Sequence, residues 1–99
     1  SEGQTPEIAG HVRFQKVRFG YDKSNPILKN LDFEAKPGDF IGLVGKSGAG
    51  KSTTINLICR FYEPDAGTIL VDGVPYDQIA LQHWRKNIGI VLQEPFLFN

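Results

Sequence analysis

The run Gly45-Lys46-Ser47-Gly48-Ala49-Gly50-Lys51-Ser52 constrains this chain more than any other part of it. It matches G-x-x-x-x-G-K-[ST], the Walker A pattern, which has meaning only between a strand and a helix. Glycines let successive backbone N–H groups turn inward into a concave anion nest, and the N-terminus of the following helix adds partial positive charge. Lys51 supplies a compact cation for the β- and γ-phosphates of a nucleotide, and the Ser52 hydroxyl is suited to ligate the Mg²⁺ that bridges them. Thr53 stands in the first helical turn, within reach of the α-phosphate. Gly45, Ser47, Gly48, Ala49 and Gly50 form the cradle itself. A chance match in a chain of this size has odds of roughly 1 in 250 at average residue usage. The bland alternative, a glycine-rich turn with a solvated lysine, leaves the flanking sequence unexplained.

Those flanks read as the motif requires. Phe40-Ile41-Gly42-Leu43-Val44 is a continuous apolar run suited to a strand covered on both faces of a parallel sheet. Beyond the loop, Ile55, Ile58, Cys59 and Tyr62 fall at helical spacing, and Glu63-Pro64-Asp65-Ala66-Gly67 stops that helix. Upstream, Val12 and Phe14, then Val17 and Phe19, alternate with polar residues in two pairs, which predicts strands with a slip or bulge between them. Asp22-Lys23-Ser24-Asn25-Pro26 has turn chemistry and Ile27–Lys36 repeats the alternation, so an antiparallel hairpin is expected. Thr68–Val71 reads as a short strand closed by Asp72-Gly73, Gln78–Lys86 as a short helix, and Ile88–Leu92 as a second buried strand. The fold class expected is α/β, a P-loop NTPase (RecA-like) core with an N-terminal antiparallel β-subdomain.

Composition narrows the partners. Lys and Arg number 11 and Asp and Glu 11, for a formal net charge of +0, so no basic face for nucleic acid is implied. A single cysteine, Cys59, precludes an internal disulfide and fits a reducing compartment. No apolar run approaches the roughly 18 residues of a membrane span, and Ser1–Gly10 reads as a polar linker rather than a leader. Neither His11 nor His83 has the cysteine or carboxylate neighbours of a metal site.

Read together, VRFGYD, ILKNLDFEAKPGDFIGLVGKSGAGKST, RFYEPDAGTILVDG and WRKNIGIVLQEPFLFN resemble the nucleotide-binding domains of ATP-binding cassette (ABC) transporters, of the exporter type with fused membrane and ATPase domains. The resemblance covers roughly residues 10–99 and implies an ATPase that powers transport across a membrane. It implies that Tyr21, at the A-loop position, stacks on adenine, as a flat apolar purine face favours. It implies that Gln93, at the Q-loop position, contacts Mg²⁺ and the attacking water. It also implies as partners a second nucleotide-binding domain and transmembrane domains, and a location at the cytoplasmic face of a membrane.

Within such a family, residues 11–99 correspond to the N-terminal part of the domain. Nothing in the 99 residues reads LSGGQ, and no apolar strand ends in Asp-Glu. Hydrolysis is therefore expected of the parent, with this stretch binding Mg-ATP. A sheet edge left uncovered beside the P-loop strand would favour self-association. A non-catalytic nucleotide-binding or assembly role is the alternative, and another P-loop enzyme such as a small-molecule kinase a third, in which Tyr21 and Gln93 have no assigned roles.

Overall fold

The computed structural model describes residues 3–44 and 48–93. Four strands, β1 (Val12–Phe19), β2 (Leu28–Ala35), β3 (Ala66–Val71) and β4 (Val74–Pro75), form one antiparallel sheet in the order β2-β1-β3-β4. Three α-helices accompany it, α1 (Phe40–Val44), α2 (Gly48–Ile58) and α3 (Leu81–Leu92), with a 3₁₀ turn at Tyr76–Gln78.

The paired alternation in β1 does what it predicts. Strand side chains alternate faces, so Val12 and Phe14 can share the buried face with Val17 and Phe19 only if one residue is slipped between the pairs. The pairing with β2 shifts register between Phe14 and Val17, and Lys16 takes φ 50° at the irregularity. The Lys16 N–H freed there donates to the Asp32 carboxylate at 2.9 Å. On the inner face Phe14 stacks on Phe33, centroids 4.5 Å apart, and both lie against Phe40 of α1.

Two expectations are corrected. Phe40–Val44 is a helix, not a parallel strand, and Ile88–Leu92 is the second half of α3. A buried strand must pair its N–H and C=O groups with neighbours, and the sheet among the described residues is antiparallel throughout and offers neither run a place. A helix satisfies those groups internally. Phe40 and Val44, four apart, are the buried residues of α1 while Leu43 is exposed. Trp84, Ile88, Val91 and Leu92, at i, i+4, i+7 and i+8, make the buried face of α3. The uncovered parallel edge expected beside the P-loop is accordingly not formed among the described residues, whose sheet edges are β2 and β4.

Helix α2 ends earlier than its apolar spacing suggests, and Tyr62 lies beyond it. Arg60 takes φ 62°, its N–H donates to Leu57 O at 3.0 Å, and the Phe61 N–H donates to Asn56 O at 3.1 Å. That is a Schellman closure with arginine where glycine is usual. Side chains also donate to carbonyls of the last turn. Tyr76 Oη donates to Leu57 O at 3.0 Å and Trp84 Nε1 to Ile58 O at 2.7 Å. Residues 8–11 are tied down as well. The Asp72 carboxylate accepts the N–H groups of Ala9, Gly10 and His11, and Ile8 is buried.

Candidate functional site

Of the glycine-rich motif, Gly45, Lys46 and Ser47 lie outside the described residues. Gly48, Ala49, Gly50, Lys51 and Ser52 form the opening of α2, whose first turn carries no acidic residue. The first N–H groups of a helix have no intrahelical acceptor, so this end is an electropositive donor cluster. Ser52 is exposed and Lys51 partly so, which leaves both accessible to a ligand. Thr53 is 1% exposed, its side chain turned into the protein. Thr54, equally buried, donates from Oγ1 to Gly50 O at 2.6 Å and pins the first turn.

Tyr21 is brought to the same helix from a loop thirty-odd residues upstream. Its hydroxyl accepts from Nδ2 of Asn56 at 2.8 Å, and its ring meets Phe19 and Tyr62 edge to face, centroids 5.1 and 4.9 Å away. The ring is nevertheless 49% exposed, so part of it is open to a flat ligand. Local chemistry builds this loop. Ser24 donates to the Asp22 carboxylate from both Oγ and N–H, at 2.8 and 3.1 Å, and those bonds hold its carboxyl below the ordinary value of 3.8. Gly20 is packed so closely that a Cβ there would lie 2.7 Å from Asp22 O and 2.8 Å from Asn25 O.

Gln93 caps α3 in the left-handed conformation, φ 56°, with its N–H donating to Gly89 O. Its side chain covers Gly38, whose positive φ and missing Cβ make room for it. The cleft it lines also takes in Asp39, Ile41, Gly42 and Leu43 rather than Lys51 or Ser52. The structure thus joins Tyr21 to α2 and sets Gln93 beside α1.

The donor set fits a nucleotide and its cation. An anion has the helix N-terminus and Lys51, a base has an exposed aromatic ring, and Ser52 offers a hard oxygen. Among the described residues no cluster of His, Cys, Asp or Glu could hold a metal alone.

Sequence reading missed Asn56 and Tyr62. Asn56 follows Ser52 by four residues, so helical spacing puts the two on one face of α2, but its contact with Tyr21, 35 positions away, leaves no local signal.

Comparison with known proteins gives the family. The family profile described as ABC transporter matches residues 28–99. The chain is 50% identical over 94 residues to the MG015 homolog of Mycoplasma pneumoniae, named for an ABC transporter ATP-binding protein, covering 95% of this chain and 15% of that one. It is 47% identical over 92 residues to the beta-(1-->2)glucan export ATP-binding/permease protein NdvA of Nitrobacter winogradskyi, covering 93% of this chain and 15% of that one. It is 43% identical over 93 residues to the ATP-dependent lipid A-core flippase of Alcanivorax borkumensis, covering 94% and 16%. Among solved structures, a bacterial Atm1-family ABC exporter with ATP bound superposes with TM-score 0.67 at 34% identity, over 85% of this chain and 14% of that one. The chain therefore spans about 15% of the length of the relatives it matches. Its fold is the N-terminal part of the P-loop ATPase fold of such exporters, and the chain belongs to the ABC transporter family.

Proposed function

We propose that this chain is the ATP-binding portion of an ABC exporter ATPase that powers substrate transport across a membrane, and that it binds Mg-ATP between Tyr21 and the start of α2. The observation that carries this reading is the bond from Asn56 to Tyr21, which fixes an exposed aromatic platform to the helix that opens with Gly48-Ala49-Gly50-Lys51-Ser52. Tyr21 takes adenine. Gly45, Ser47, Gly48, Ala49, Gly50, Lys51 and Ser52 take the phosphates, and Thr53 must turn outward to reach the α-phosphate. Ser52 and Gln93 would hold Mg²⁺, which would neutralise charge on the nucleotide's phosphates. Gln93 must move from Gly38 toward Ser52 to do so.

Mechanistically these residues bind, orient and neutralise. Phosphoryl transfer depends mainly on positioning and on stabilising charge that spreads over the phosphate oxygens, so Lys51 acts in catalysis by the parent as well as in binding. Residues 11–99 constitute the N-terminal part of the nucleotide-binding domain; residues 1–10 precede it as linker, of which Ile8 is buried and Ala9 and Gly10 bond to Asp72. The partners of that domain are a second nucleotide-binding domain and transmembrane domains, at the cytoplasmic face of the membrane. Among the described residues no helix is long and apolar enough to cross one.

A second reading, nucleotide binding with assembly in place of turnover, is favoured by an apolar cleft lined by Ile27, Leu28, Leu31, Phe33, Leu43 and Val44, in which Ile27 and Leu43 are exposed. Calorimetry with Mg-ATP tests both. Binding that Lys51→Ala abolishes supports the nucleotide site. Unchanged affinity in that variant contradicts it, and ATP turnover by the isolated chain contradicts the second reading.

A further inference from the structure

The phenol oxygen of tyrosine lies on the long axis of the ring. A hydrogen bond to it fixes where that axis points but leaves rotation about the axis free. In this chain the two constraints come from different residues. Nδ2 of Asn56, 2.8 Å away and 35 positions along the sequence, fixes the axis of Tyr21. Phe19 and Tyr62, meeting the ring at interplanar angles of 86° and 82°, fix its rotation. A ring so held pays little ordering entropy when a flat ligand lands on its exposed part.

Asn56 also sits one turn beyond Ser52 on α2, so the same helix that opens on the phosphates carries the anchor of the base platform. The separation between platform and phosphate site is thereby set by one rigid element. We propose that Asn56 is a positioning residue for nucleobase recognition: it touches neither base nor phosphate, holds Tyr21 at a fixed place relative to the start of α2, and so selects a nucleoside triphosphate over its bare polyphosphate chain. This rests on the nucleotide site proposed above.

The test is calorimetry with Mg-ATP and with Mg-tripolyphosphate on the unaltered chain, Asn56→Leu, Tyr21→Phe and the double variant. Leucine matches the shape of asparagine without its donor, and phenylalanine keeps the ring without the acceptor. Asn56→Ala, a better helix former, guards against a folding defect in the leucine variant. Each single variant is expected to weaken ATP about 3- to 10-fold, the worth of one hydrogen bond, and to leave tripolyphosphate unchanged. The double variant should be no worse than either single, because both remove the same bond. Equal loss for ATP and tripolyphosphate, additive losses, or no loss of ATP affinity overturns the role of Asn56. An unaltered chain that binds tripolyphosphate as tightly as ATP contradicts the nucleobase site itself, and with it the proposed function.

Discussion

The indole Nε1 of Trp84 donates to the carbonyl oxygen of Ile58 at 2.7 Å, so the side chain of α3 closes the last turn of α2. Both residues are fully buried. With Tyr76 on Leu57 O, this bond ties the far end of α2 to the body of the domain. Trp84→Phe keeps an aromatic ring but leaves the Ile58 carbonyl without its donor, at a cost of about 1–3 kcal/mol. Urea unfolding of the two chains measures it. Trp84→Ala should cost more, about 3–5 kcal/mol, because a large cavity is added.

Stability should fall in alkali. Burial raises the Cys59 thiol above its ordinary value of 9.0, with Arg85 opposing, and raises the Tyr76 phenol above its ordinary 10.0, with Arg60 opposing. Folding therefore favours the protonated form of each. Their contribution is complete below the unfolded values and is lost as pH climbs through 9.0 and 10.0 toward the folded ones. Tyr76→Phe should flatten the alkaline part of the stability curve. At neutral pH it should cost about 0.5–1.5 kcal/mol, the worth of one hydrogen bond, because Leu57 O keeps the Arg60 N–H.

Gly20→Ala should damage the base platform. The new methyl would meet backbone at Asp22, Asn25 and Pro26, within 2.9 Å in each case, and backbone cannot step aside as a side-chain end can. The loop bearing Tyr21 has to shift. Expected are a loss of about 1–3 kcal/mol in unfolding free energy and weaker Mg-ATP binding, measured by urea unfolding and calorimetry.

Much of this architecture is legible in the residues. The paired alternation of Val12, Phe14, Val17 and Phe19 announces the bulge, and Asp72-Gly73 announces the tight turn that pairs Val71 with Val74. The motif at Gly45–Ser52 announces a helix, and α2 opens at Gly48 within it. The two apolar runs misled because a short stretch of large aliphatic residues suits a buried strand or a buried helix equally. Phe40 with Val44, and Trp84 with Ile88, Val91 and Leu92, already had helical spacing, and the state of each run was decided by which partners its backbone could find. The contact of Tyr21 with Asn56 was hidden for another reason. It joins residues far apart in the chain, and no local periodicity records it.

One nucleotide is proposed to span from Tyr21 to the opening of α2. Nuclear magnetic resonance on the labelled chain during a Mg-ATP titration tests it most directly, by following the Tyr21 ring and the amides of Gly50, Lys51 and Ser52 together. All four are expected to shift along one saturation curve with a common dissociation constant, and Lys51→Ala to remove the shifts at both ends. Amide shifts at α2 with the Tyr21 ring unmoved, or shifts that survive Lys51→Ala, would contradict it.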